Sequence, residues 1–91
     1  MTILIKELSG EEFQVAVNAK NPTSHNVTLT DDIHQNLTNG KVSKKKLIEF
    51  SFKFLLEREP NTSILSSFEL SVISTFFPEY IKTVEKWSTE N

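Results

Sequence analysis

The chain has 91 residues, ten basic against twelve acidic side chains, a formal net charge of −2 and no cysteine. That length sets a single small domain, 1–91, large enough to bury a core without staples, and the absence of cysteine excludes disulfides and thiolate zinc sites. The mild acidity argues against a protein whose main task is holding nucleic acid.

The first thirty residues carry strand periodicity. Ile3 and Ile5 alternate with Leu4 and Lys6, and Ser9-Gly10-Glu11 supplies turn chemistry. Phe13, Val15, Val17 and Ala19 then recur at period two, so residues 2–8 and 12–19 are expected to form a hairpin. Asn21-Pro22-Thr23-Ser24 is a second turn, because proline fixes φ and short polar side chains bond locally. A third strand over 25–30 places Val27 and Leu29 on one face, with Asn26, Thr28 and Thr30 on the other.

From Thr30 the period becomes helical. Thr30 or Asp31 caps a short helix over 31–39 that ends at Asn39-Gly40, and Ser43 caps the longest helix, 44–59. In that helix Leu47, Phe50, Phe54 and Leu55 form an apolar stripe widened by Ile48, Phe52 and Leu56. Pro60 stops it, since the residue before a proline disfavours the α region. Ile64, Leu65, Phe68, Leu70, Ile73 and Phe77 predict a third helical stretch over 62–77. Pro78 opens a last helix over 78–87 bearing Tyr80, Ile81, Val84 and Trp87, and residues 88–91 are expected to fray. The fold class is therefore α+β: a three-stranded antiparallel sheet (2–8, 12–19, 25–30) covered by three or four helices (31–39, 44–59, 62–77, 78–87).

Chemistry-bearing residues are sparse. His25 and His34 lie near Asp31 and Asp32 in the sequence, but the order D-D-x-H matches no ligand spacing, and a solvated helix start accounts for the acids. The serines Ser63, Ser66, Ser67, Ser71 and Ser74 sit far along the chain from either histidine, so no nucleophile–base pair is legible. No catalytic residue, metal or cofactor is expected. Lys44, Lys45 and Lys46 would occupy the first turn behind the Ser43 cap, where positive charge opposes the helix dipole. An anion there would offset that disadvantage. Screened, solvated lysines are the simpler account.

Two resemblances are visible. The segment Val27–Glu59 resembles the ribbon-helix-helix fold of bacterial repressors and antitoxins: a short strand Val27-Thr28-Leu29-Thr30, a helix Asp31–Asn39, a turn Gly40-Lys41-Val42-Ser43 and a longer helix Lys44–Glu59. That resemblance implies a dimeric DNA-binding regulator, its paired strands reading the major groove through Asn26, Thr28 and Thr30 while Ser43, Lys44 and Lys45 hold phosphates. The reading strand itself carries no Arg or Lys, and a hairpin precedes it. The run Phe52–Leu65 with Phe76-Phe77-Pro78-Glu79-Tyr80 resembles a group of small, functionally uncharacterised bacterial proteins, which implies architecture alone.

The start, Met1–Lys6, lacks a signal peptide's basic region and apolar core, and no apolar run reaches the ~18–20 residues that span a membrane. The expectation is a soluble cytoplasmic protein, without membrane association or catalysis. Its expected role is a protein-interaction module for an unknown protein partner or for self-association, with the dimeric nucleic-acid binder as the alternative.

Overall fold

The computed structural model describes residues 2–90. A four-stranded sheet in the order β1-β2-β3-β4 is built from β1 (Thr2–Glu7), β2 (Glu12–Asn18), β3 (Thr23–Thr28) and β4 (Ser67–Glu69). The first three strands are antiparallel and β4 runs parallel to β3. Helices α1 (Asp31–Thr38), α2 (Lys44–Leu56), α3 (Ile73–Phe76) and α4 (Tyr80–Glu90) follow the expected α+β plan.

Local chemistry explains each boundary in the first half. The Ser9 hydroxyl accepts from the N–H groups of Glu11 and Glu12 at 3.3 and 3.1 Å, tightening the β1–β2 turn. Period two in β2 sends Phe13, Val15 and Val17 inward, where they meet His25, Val27 and Leu29. The third strand begins at Thr23 and ends at Thr28, two residues earlier than its apolar pattern suggests, because Thr30 leaves the ladder to cap α1. Helix α1 closes with Asn39 at φ 54°, its N–H bonded to Gln35 O, followed by Gly40 at φ 72°.

Ser43 caps α2 as expected, and the helix buries Leu47, Ile48, Ser51, Phe52, Phe54 and Leu55. It ends at Leu56, before the expected Glu59, because the last turn tightens: Arg58 and Glu59 both donate to Leu55 O at 2.9 Å ahead of the extended Pro60.

The expected helix over 62–77 is where the structure departs most from the sequence pattern. Asn61–Ser63 form a 3₁₀ turn, the chain then extends into β4, and Leu70–Val72 and α3 supply only short helical pieces. Hydrogen bonds from the sheet capture the backbone here. Asn61 Nδ2 donates to Asn21 O and Thr23 Oγ1, both at 2.8 Å, and Asn26 N–H donates to Ser66 O at 2.8 Å. Serines 66 and 67 have weak helix preference, so tertiary bonding overrides the helical spacing. Helices α1 and α2 form the crossover that a parallel β3–β4 pair requires.

Helix α4 starts at Tyr80, two residues after the expected Pro78, and continues to Glu90. Fraying from residue 88 is corrected: Ser88 is buried within the helix, although Asn91 lies outside the described residues. The core joins the inner sheet face to Leu47, Ile48, Phe52, Leu70, Tyr80 and Val84. Burying each large apolar side chain contributes about 1.5–3 kcal/mol. Tyr80, fully buried, needs a partner for its hydroxyl and finds Ser51 Oγ at 2.6 Å. Since the Ser51 proton goes to Leu47 O, the tyrosine is the donor.

Candidate functional site

The residues that sequence reasoning singles out are mostly committed to the fold. The Ser43 hydroxyl accepts from Lys46 N–H at 3.1 Å, and Thr30 Oγ1 accepts from Ile33 N–H at 3.3 Å. Lys44 folds back, donating to Asp31 Oδ1 at 2.5 Å and to Gly10 O at 2.7 Å. Its hydrogen bond, and then its charge, hold the Asp31 carboxyl below the usual carboxylate range. Of the lysine run, only Lys45 and Lys46 project freely into solvent. Asn26 and Thr28 sit on the sheet face turned away from the helical layer. Strand β3 is hydrogen-bonded to β2 on one side and to β4 on the other, so it offers no free edge to a partner's reading strand.

Both histidines serve the backbone. His34 Nε2 donates to Val42 O at 2.6 Å. His25, 2 % exposed, has Nδ1 2.7 Å from Leu65 O and Nε2 2.8 Å from Thr23 Oγ1. A carbonyl can only accept, so Nδ1 carries the proton; in neutral imidazole Nε2 then accepts from the Thr23 hydroxyl. Thr23 Oγ1 in turn accepts from Asn61 Nδ2. The chain Asn61–Thr23–His25–Leu65 thus pins the segment between α2 and β4 to the sheet, and the tilted His25–Phe52 ring pair at 5.4 Å packs it from inside.

That pinned segment forms one wall of an open groove of about 360 Å³. Leu55 and Glu59 come from the end of α2, Ile64 and Leu65 from the pinned segment, Phe68 from β4, and Val72, Ile73, Phe76 and Phe77 from the turn and helix that follow. The surface is mostly apolar, and two of its largest side chains face water: Phe76 is 63 % exposed and Leu65 49 %. Of the five exposed large apolar side chains, Phe76 and Leu65 share this one concavity, and apolar exposure in a concavity marks a binding surface more than scattered surface residues do.

Charge beside the groove is already paired. The Arg58 guanidinium lies 3.6 Å over the Phe54 ring, a cation–π placement, while its Nη1 donates to Phe54 O at 2.9 Å. It also pairs with Glu57 and Glu79 at 3.5 and 3.4 Å. Glu59 is left half-buried in the groove, and among the described residues no hydrogen bond or ion pair reaches its carboxylate. A mostly apolar trough with one carboxylate outside any ion pair can hold an apolar body that carries a cationic group. Sequence reasoning missed this site. Phe76 enters there only within the run Phe76-Phe77-Pro78-Glu79-Tyr80, and the one signal was the surplus of apolar residues between Phe50 and Tyr80.

Compared with protein-family models, with curated proteins and with solved structures, the chain matches none of them. No helix among the described residues is long and apolar enough to cross a membrane.

Proposed function

We propose that this chain is a small, cytoplasmic, non-catalytic interaction module that docks a partner protein in the groove between the end of α2 and α3. The observation that carries the reading is the exposure of Phe76 and Leu65 beside the unpaired Glu59 in one apolar concavity. The occupant is a partner segment presenting large apolar side chains with an Arg or Lys close by. The apolar side chains remove Phe76 and Leu65 from water, and the cation pairs with Glu59 in a setting of reduced dielectric. Both histidines are committed to backbone carbonyls, which fits a role in fastening the groove wall and leaves neither ring free for proton transfer.

Selection of short peptides displayed on phage against the immobilised protein tests this directly. The expected outcome is enrichment of sequences pairing Phe, Leu or Trp with Arg or Lys, whose binding is lost in Phe76→Asp and weakened in Glu59→Gln. Enriched peptides that bind Phe76→Asp as well as the parent, or no enrichment at all, would contradict the reading.

A further inference from the structure

Among the described residues strand β1 is an open edge of the sheet, with β2 as its one neighbouring strand. The direction of its backbone groups follows from the ladder. Leu8 N–H donates to Glu12 O at 2.8 Å. Hydrogen-bonded pairs alternate along an antiparallel ladder, so Thr2, Leu4 and Lys6 turn their N–H and C=O toward β2. Ile3, Ile5 and Glu7 turn theirs outward. The next ladder agrees: Leu29 N–H donates to Glu11 O at 2.7 Å, so β2 spends its odd-numbered residues on β3 and its even-numbered ones on β1. Among the described residues, no hydrogen bond outside the β1–β2 ladder engages Ile3, Ile5 or Glu7.

Edges are normally blunted by proline, bulges or charge. The β1 register runs unbroken, the strand holds no proline, and Ile3-Leu4-Ile5 precede its first charge at Lys6. Leu4 is 56 % exposed on the outer face. The opposite edge, β4, is only three residues long and leaves little to pair with.

We propose that the β1 edge pairs antiparallel with the same edge of a second copy of this chain, about a twofold axis through Leu4, making one continuous sheet across a homodimer. Charge selects the direction. Parallel, in-register pairing would bring Lys6 toward Lys6 and Glu7 toward Glu7. Antiparallel pairing centred on Leu4 sets Ile3 opposite Ile5 of the second copy and Lys6 opposite Thr2, with no like charges opposed. The backbone selects the register. Ile3 and Ile5 are the residues whose amides face outward, so each Ile3–Ile5 pair makes both of its hydrogen bonds. Leu4 falls at a non-hydrogen-bonded position, where facing side chains come closest, and the two exposed leucines cover each other. An axis perpendicular to the sheet keeps both helical layers on the same side. The inference does not rest on the groove, which adjoins β4 at the far edge.

Sedimentation equilibrium of the full chain, combined with amide hydrogen exchange, tests the pairing. The expected result is a dimer in which the Ile3 and Ile5 amides become protected as chain concentration rises. Leu4→Glu should give a monomer with unchanged circular dichroism. Ile5→Pro, which removes an outward N–H and none from the β1–β2 ladder, should do the same. Where either variant fails to fold, exchange at Ile3 and Ile5 of the unaltered chain decides. A monomer up to millimolar concentration would overturn the proposal, as would a dimer whose Ile3 and Ile5 amides stay fast or which survives Leu4→Glu in a folded chain.

Discussion

His25 Nδ1 donates to the carbonyl oxygen of Leu65 at 2.7 Å, joining β3 to a segment forty residues further along the chain. This bond converts a stretch with helical spacing into the fixed wall of a groove. His25→Ala should therefore leave the Leu65 carbonyl unpaired and open a cavity beside Phe52. We expect a loss of about 2–4 kcal/mol in urea unfolding. Amide exchange should quicken across residues 61–68 before it does in β2.

Tyr80→Phe removes one buried hydrogen bond while Ser51 keeps its bond to Leu47 O, so the expected loss at neutral pH is about 0.5–1.5 kcal/mol. Burial first, and the nearby Glu69 charge further, push the Tyr80 hydroxyl well above its ordinary value of 10.0, against the opposing Ser51 bond. The raised group contributes stability that is fully present below pH 10.0 and is lost progressively as pH rises through the folded value. Denaturant midpoints of the parent should fall above that pH, and the Tyr80→Phe midpoints should fall less.

Asp31 behaves in the opposite sense. Lys44 lowers its folded value below 3.8, so its contribution is present above 3.8 and disappears as pH falls through the folded value. Asp31→Asn should be less stable than the parent at neutral pH and equal to it in strong acid. High salt at neutral pH should narrow the gap, because the Asp31 side chain is 88 % exposed.

Lys45 and Lys46 oppose the α2 dipole without a partner among the described residues. Replacing both with Glu should stabilise the protein by about 0.3–1 kcal/mol per site at low ionic strength. Thermal melts at low and high salt would show the gain and its screening. An unchanged or lowered midpoint at low salt would contradict the dipole account, the new carboxylates then losing more against Glu49, four and three residues on, than they gain at the helix start.

How much of this was legible in the sequence depends on how local the causes are. Phe13, Val15 and Val17 announce an inward strand face by themselves, Ser43 announces a cap, and Pro60 a stop. Their effects act within a few residues. The conformation of 61–72 was not legible, because Asn21, Thr23, His25 and Asn26 set it through bonds spanning some forty positions. That same displacement hides the groove. Had 62–77 formed one helix, Phe76 would have shared its buried stripe; on the short α3 it faces water. Ser43, nominated for an anion-binding helix start, and Thr30, nominated as a strand residue reading the major groove, both spend their hydroxyls as caps.

The groove meets its most direct test in a nuclear magnetic resonance titration with a peptide recovered by selection against the protein. We predict shift changes clustered at Leu55, Ile64, Leu65, Phe68, Ile73 and Phe76, with binding weakened at least about tenfold, roughly 1.4 kcal/mol, in Phe76→Asp. Changes clustered at Lys45 and Lys46 or along β1, with Phe76→Asp binding as tightly as the parent, would contradict the account.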